Sequence, residues 1–282
     1  MKPHTASKRT KVLAFGIMLS TLALGWISGC NKIASSGFSS KLPGTLQIKL
    51  TDAPARFDSV MIDIQKVEVQ TTDSSNAYVW TAVNDSAMMV NLLDLSNGAN
   101  KVIGQKQLTP GTYHQIRLVL GSNNYVVQNG QEYALKVPSG QQSGLKINVD
   151  ATIKPNYTYT LLLDFNAAKS IIQTGNSHSK NSKFILKPVI RAINEAMSGV
   201  ISGAVSPANT NPTIYSINGT DTVSTAFADT TTGNFKMIGI PAGTYNVSFV
   251  PADTTYRDTT ITGVSVVAGQ TQQLGTVTLS KK

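Results

Sequence analysis

Cysteine is almost absent from this chain of 282 residues, which contains only one. A single cysteine excludes an intrachain disulfide and any metal site built from a cysteine cluster. Histidine is also scarce, with three residues, and the sequence has no H-E-x-x-H, no G-x-S-x-G and no glycine-rich phosphate loop. These absences predict a protein that is not an enzyme, has no catalytic or metal-ligating residues and needs no cofactor.

Charged residues make up only 14 % of the chain, although the net charge is +9. Residues 1–29 hold four of the 24 basic residues and none of the 15 acidic ones, which leaves +5 for residues 30–282. The remaining basic residues are spaced singly, so they form no stripe that matches a row of phosphates. The charge pattern therefore predicts no nucleic-acid partner.

The first 29 residues show the three zones of an export signal: a basic start, an apolar run over 12–27, and small residues at Ser28 and Gly29. An uncleaved transmembrane helix is the alternative, because about 17–25 residues span a bilayer. The order Ile27, Ser28, Gly29, Cys30 resembles the bacterial lipobox. This resemblance implies cleavage of the signal peptide at residue 29 and lipidation of Cys30, including a palmitate-type acyl chain.

The segment after Cys30 bears on location. The lipobox resemblance implies three acyl chains on Cys30. Three chains anchor a protein stably in a membrane, whereas one chain holds it only marginally. Asn31 occupies the position where an aspartate resembles an inner-membrane retention signal in many Gram-negative bacteria, so the outer membrane of the cell envelope is favoured. Its periplasmic and surface faces both stay open. Residues 30–42 are rich in Ser, Lys and Gly and are interpreted as a flexible tether.

From Gly44 onward, apolar and polar residues alternate with the period of two that is typical of β-strands. Within 60–69 the phase shifts across Gln65 and Lys66, which predicts a bulge in a long strand. Short helical pieces are predicted at 92–95 and 167–172. The strands predicted in this region cover 46–50, 60–69, 78–83, 88–93, 112–120, 125–128, 132–137, 145–149, 157–165 and 184–190.

The strand pattern stops at 192–198, and the sequence beyond is richer in Gly and Thr. We therefore place a linker at 194–198, between a first domain at 43–193 and a second domain at 199–282. Many short strands separated by turn residues predict an all-β protein with two antiparallel β-sandwich domains in tandem. The strands predicted in the second domain cover 199–205, 213–217, 224–228, 235–240, 244–250, 259–267 and 272–279.

Each predicted domain resembles a known family. The first resembles the bacterial domain of unknown function 4382 over 45–190, through stretches at 50–54, 57–60, 64–69, 111–118 and 137–146. The second resembles a carboxypeptidase regulatory-like domain of the transthyretin-like, carbohydrate-binding-like sandwich superfamily, through stretches at 199–205, 226–235 and 238–245. The second resemblance implies a sandwich fold and no catalysis. It does not by itself imply sugar binding.

Two features are candidates for ligand binding. The loop at 138–144 carries many hydrogen-bond donors and acceptors, and loops on a rigid sandwich commonly carry binding residues. A solvated connector is the alternative interpretation. Two aromatic residues two positions apart in a predicted strand form either a platform for a sugar ring or part of the sandwich core, and the core is favoured. The candidate binding residues are Ser139, Gln141, Gln142 and Ser143 in the loop, with Tyr78 and Trp80 in the strand.

Four other residues are given structural interpretations. His114 alternates with apolar residues and is expected to border a core face, and His178 is expected in an exposed loop. Asp52 is expected to accept hydrogen bonds from turn amides, with calcium binding as the alternative. Asp229 is expected in a hairpin turn. Neither aspartate matches a spaced calcium-loop pattern.

Together these observations predict an exported, lipid-anchored protein of the cell envelope with a non-catalytic binding or structural role. The lipid on Cys30 is expected to attach the protein to the membrane. A glycan or an envelope protein is the other candidate partner. A carbohydrate-binding lipoprotein is the alternative in the same class. A glycan hydrolase is the alternative in another class, and it requires two facing carboxyl groups about 5–10 Å apart.

Overall fold

The computed structural model describes residues 42–72, 74–138, 143–174 and 183–282, and for Lys183 the backbone only. Several predictions lie outside the described residues: the signal peptide, the lipidation of Cys30, the tether before Leu42, and the positions of Ser139, Gln141, Gln142 and His178. In the part of the chain that is described, no helix is both long and apolar enough to cross a bilayer.

The first half of the described chain folds into two sheets and two short helical turns. The turns, at Leu92–Leu95 and Ala167–Ser170, confirm the helical pieces predicted there. Each is capped by an asparagine whose side chain accepts a backbone N–H bond. The strands are β1 Gly44–Ala53, β2 Ser59–Thr72, β3 Tyr78–Asn84, β4 Met88–Asn91, β5 Lys101–Leu108, β6 Gly111–Leu120, β7 Tyr125–Gln128, β8 Gln131–Lys136, β9 Leu145–Ile153, β10 Thr158–Asn166, β11 Ile171–Thr174, β12 Lys183–Leu186 and β13 Ile190–Asn194.

The two sheets enclose one hydrophobic core. One sheet has the strand order β13-β10-β1-β5; the other runs β11-β12-β8-β7-β2-β6-β9, with β3 and β4 also paired to β2. In β1, Leu46, Ile48 and Leu50 are buried while the residues between them are partly exposed. Burying each such side chain contributes about 1.5–3 kcal/mol. The alternation seen in the sequence therefore identifies the core face.

The bulge predicted in β2 is confirmed. The pairing of β2 with β6 shifts register between Ile64 and Lys66. Before the shift Ile62 and Ile64 are buried, and after it Val67 and Val69 are buried. One extra residue changes the parity of the strand, so both ends of β2 present apolar side chains to the same core.

The second half has its own two sheets and its own core. Its strands are β14 Ser198–Ser206, β15 Thr213–Asn218, β16 Asp221–Phe227, β17 Asn234–Pro241, β18 Gly243–Val250, β19 Thr259–Val266 and β20 Thr271–Thr278. The orders are β17-β14-β20 and β16-β15-β18-β19. A separate cluster that includes Ile201, Phe235 and Phe249 fills the space between them. A 3-10 turn at Glu195–Met197 occupies the predicted linker.

The all-β fold class is confirmed, with three details that the sequence pattern did not predict. The pairs β1–β10, β8–β12 and β14–β20 are parallel, while the other pairs are antiparallel. Strands β5 and β11 were not predicted. The single strand expected at 184–190 is divided between β12 and β13, with residues 187–189 between them.

The same tyrosine corner occurs in both halves. Tyr113 donates its hydroxyl hydrogen to the Thr109 carbonyl at 2.7 Å, and Tyr245 donates to the Pro241 carbonyl at 2.7 Å. Each tyrosine follows a Gly-Thr pair at the start of a strand, β6 or β18. The bond fixes a chain reversal to the strand that follows it, as in immunoglobulin-type sandwiches.

In the part of the chain that is described, the contacts between the halves include the following three. Asn97 Oδ1 accepts the Lys236 backbone N–H at 2.5 Å, and the Arg56 guanidinium carbon lies 5.2 Å from the centre of the Phe227 ring. At the third place, a Cβ added to Gly239 would come within 2.9 Å of side-chain atoms of Leu162 and Ile193. Both halves lie in one compact unit.

Candidate ligand-binding groove

A groove of about 500 Å³ opens at one end of the first sandwich. It lies where the end of β2, the start of β3, the end of β5 and the start of β6 meet. Tyr78 is 77 % exposed on its wall. The polar residues that line it are Gln70, Thr71, Thr72, Thr81, Lys106, Gln107, Thr109, Thr112 and His114.

Backbone pairing holds the walls of the groove in place. β2 and β3 form a hairpin in which Thr72 pairs with Tyr78. The hydroxyl oxygens of Thr71 and Thr81 are 2.8 Å apart across this hairpin. On the opposite wall, the tyrosine corner of Tyr113 fixes the turn that begins β6, and burial raises the pKa of the Tyr113 phenol. Tyr78 is thus the aromatic residue left to face a ligand, while Tyr113 supports the wall.

The chemistry of the groove suits a polar ligand with one apolar face. A phenol ring that is exposed beside hydroxyl, amide and imidazole groups can stack on a sugar ring and bond its hydroxyls. Lys106 Nζ already donates to the Ala82 carbonyl at 2.7 Å, so this cation is fixed in position. The residues described along the groove include no Asp or Glu.

Trp80, a candidate binding residue from the sequence, lies neither in the core nor in the groove. Trp80 pairs with Gln70 on the outer face of the sheet, and the Arg117 guanidinium carbon lies 4.4 Å from the centre of its ring. Arg117 is in turn ion-paired with Glu68. The favoured core placement of Trp80 is therefore wrong: the inward positions of β2 belong to Val67 and Val69, and Trp80 is half-buried under an arginine.

The structure also separates Tyr78 from the loop that was predicted with it. Ser143 lines a different concavity of about 510 Å³, together with Lys146, Asn148 and Pro188. Gly144 lies beside the backbone of Leu118, near the far end of β6 from the groove. The two aromatic residues and the loop serine thus do not form one site.

The prediction for His114 needs correction. His114 is exposed and lines the groove rather than bordering the core. The pairing of β6 with β9 shifts register between Tyr113 and Gln115, so the alternation counted back from Ile116 fails at this bulge. The sequence contained no signal for the shift. Lys106 was also missed, because its strand, β5, was not predicted.

The aspartates have structural roles of the predicted kind. Asp229 Oδ1 accepts the backbone N–H groups of Thr231 and Thr232 at 3.0 and 2.7 Å, and these bonds lower its pKa. Asp52 Oδ1 accepts the Ala167 N–H at 3.0 Å, but its Oδ2 is buried without a partner. Burial raises the pKa of Asp52 well above its usual value. No group of three or more His, Cys, Asp or Glu side chains that could hold a metal exists among the described residues.

A trough of about 720 Å³ lies on the three-stranded sheet of the second half. Its floor is the central strand β14, where Ser202 and Ala204 are small, and its sides carry longer polar residues such as Lys236 and Gln273. Ser202 Oγ is buried there without a partner. The trough exposes no aromatic face, because Phe235 is only 2 % exposed.

These features define an all-β protein of two sandwiches with concave polar surfaces. The profile of the family described as "Domain of unknown function (DUF4382)" matches residues 43–188, about half of the chain. The chain belongs to this family. The resemblance of the second half to carboxypeptidase regulatory-like domains stays a prediction. No curated protein matches the chain significantly.

Solved structures of several bacterial proteins show weak similarity to this chain. A chain of a type II cohesin–X-dockerin complex from Acetivibrio cellulolyticus is 23 % identical over 29 % of this chain and 58 % of that one, with a TM-score of 0.24. The TIE protein of Bacillus anthracis is 13 % identical over 85 % and 34 %, with a TM-score of 0.25. A minor pilin of Streptococcus agalactiae is 10 % identical over 84 % and 96 %, with a TM-score of 0.22. This chain thus spans only part of the first two, and similarities this low carry no conclusion about a ligand or partner.

Proposed function

We propose that the chain is a lipid-anchored protein of the bacterial cell envelope that binds a glycan, without catalysis, in the groove of Tyr78. The observation that carries the binding proposal is the 77 % exposure of the Tyr78 ring on the wall of a groove lined with hydroxyl and amide groups. A sugar ring buries its apolar face on such an aromatic ring while its hydroxyls bond the polar side chains.

The binding proposal is tested with an array of immobilised oligosaccharides, followed by affinity measurements for the best ligand. Replacement Tyr78→Ala is expected to weaken binding about tenfold or more, because stacking on the ring is lost. Tyr157→Ala is the matched control, since Tyr157 is 70 % exposed and lies outside the groove. Equal binding by both variants would show that the groove is not the glycan site.

The anchoring proposal is supported by the basic start, the apolar run and the Ile27-Ser28-Gly29-Cys30 sequence. We expect the native chain to incorporate labelled palmitate and to be processed in a Gram-negative host. Cys30→Ala is expected to abolish both. Normal labelling of the Cys30→Ala variant would contradict lipidation at this residue.

A further inference from the structure

A cleft of about 430 Å³ lies between the two halves, away from the Tyr78 groove. Residues 54–57 and 166–171 of the first half contribute one wall. The outer face of the β15–β16 hairpin contributes the other. Pockets of this size between two packed units are a frequent location of small-molecule sites.

The wall from the second half is aromatic. Thr213 pairs with Phe227 and Tyr215 pairs with Thr225 across the hairpin, and all four side chains face the cleft. Ile214, between two of them in sequence, points into the core and is fully buried. Phe227 and Tyr215 are both half-buried on this rigid sheet.

The wall from the first half is cationic. Arg56 and Lys169 both line the cleft, and its lining contains no Asp or Glu. In the described ranges the ion pairs lie elsewhere, at Glu195, Glu68 and Asp164, and none includes either cation. The Arg56 guanidinium carbon lies 5.2 Å from the centre of the Phe227 ring, which holds the arginine against the aromatic wall.

We propose that this cleft binds an acidic sugar, with the pyranose ring on Tyr215 and its carboxylate on Lys169 and on Arg56, which the Phe227 ring holds in place. A planar guanidinium matches a carboxylate with two parallel hydrogen bonds, and a second cation beside it strengthens the attraction. The aromatic wall would favour a sugar over a bare anion, because an inorganic anion has no apolar face to bury. This site is separate from the groove of the proposed function and takes a ligand of different charge.

The test measures binding of trigalacturonic acid to the full-length protein in detergent, with neutral galactotriose and inorganic phosphate as competitors. Arg56→Gln and Lys169→Gln are each expected to weaken binding about tenfold or more. Tyr215→Leu is expected to weaken it while leaving competition by phosphate unchanged. Lys154→Gln is the matched control, because this exposed lysine follows β9 near the start of β1, at the opposite end of β1 from Arg56.

The expected result is saturable binding that falls with rising salt and survives Tyr78→Ala, which separates this site from the groove. Thermal melting of each variant shows whether it is folded. The proposal is overturned by an absence of saturable binding, by equal loss in Lys154→Gln, or by galactotriose or phosphate competing as well as unlabelled trigalacturonic acid. Loss of binding in Tyr78→Ala alone would also overturn it and would assign the ligand to the groove.

Discussion

The Asp52 carboxyl group is buried where one of its two oxygens has no hydrogen-bond partner. The Ala167 N–H lowers its pKa, but loss of solvation outweighs this bond and the nearby Asp164 adds to the increase. Burial also raises the pKa of Asp164, although Arg191 Nη2 lies 2.7 Å from Asp164 Oδ2 and lowers it. For both groups, removal from water outweighs their partners.

Asp52→Asn is expected to stabilise the protein at neutral pH. A raised folded-state pKa contributes stability below the unfolded pKa, about 3.9, and that contribution is lost as the pH rises through the folded pKa. An asparagine cannot ionise, so the gain should be near zero at pH 3 and should grow toward pH 7. Its size at pH 7 should be on the order of 1 kcal/mol or more, since a difference of one pH unit between the folded and unfolded pKa corresponds to about 1.4 kcal/mol.

The measurement is denaturant unfolding of the native chain and Asp52→Asn at several pH values. Asp85→Asn serves as control, since Asp85 is exposed. A loss of stability in Asp52→Asn that does not change with pH would contradict the role of ionisation.

Among the elements, the tyrosine corners stabilise equivalent turns in the two sandwiches. Tyr113→Phe and Tyr245→Phe each remove one hydroxyl bond, so each is expected to lower the free energy of unfolding by about 0.5–1.5 kcal/mol. Tyr78→Phe makes the same chemical change on an exposed ring and should leave stability unchanged. Unfolding curves that coincide for all three variants would show that the corner bonds contribute nothing.

The sequence predicted elements well where one face is consistently apolar. The parity change in β2 was visible because Ile62, Ile64, Val67 and Val69 are all core residues. Strand β5 was missed because only Ile103, Gly104 and Leu108 are buried in it, which is not an alternating pattern. Parallel pairings were also missed, since they join strands that are distant in the chain.

The candidate groove was predicted only in part. Tyr78 was identified, but its partners come from the ends of β2, β5 and β6, and no spacing within one segment brings them together. Trp80 was misplaced because an i, i+2 pattern does not say which face of a sheet is outward. Here Arg117 stacks on the outer face, and that contact depends on the pairing of β2 with both β3 and β6.

At the scale of the whole molecule, each half has its own hydrophobic core. We therefore predict that residues 43–193 and 199–282 each fold when expressed alone, each with a single cooperative thermal transition. A half that shows no cooperative transition would contradict its description as an independent domain.

The contact between the halves is tested at Gly239. Its φ of +67° disfavours any side chain, and an added Cβ would also press on Leu162 and Ile193. Gly275 has the same φ of +67° with nothing near its Cβ position, so Gly275→Ala measures the backbone cost alone, about 1–2 kcal/mol. Gly239→Ala should destabilise the full chain by more than this. Equal losses would show that the contact is unimportant.

Glycan binding in the Tyr78 groove is the central claim, and NMR titration of the isotope-labelled mature chain tests it most directly. With the best oligosaccharide from the array, we predict saturable shifts that cluster at Gln70, Thr72, Tyr78, Thr112 and His114, which line the groove. Shifts centred instead on Ser143 and Lys146, or no saturable shifts with any oligosaccharide of the array, would contradict the claim.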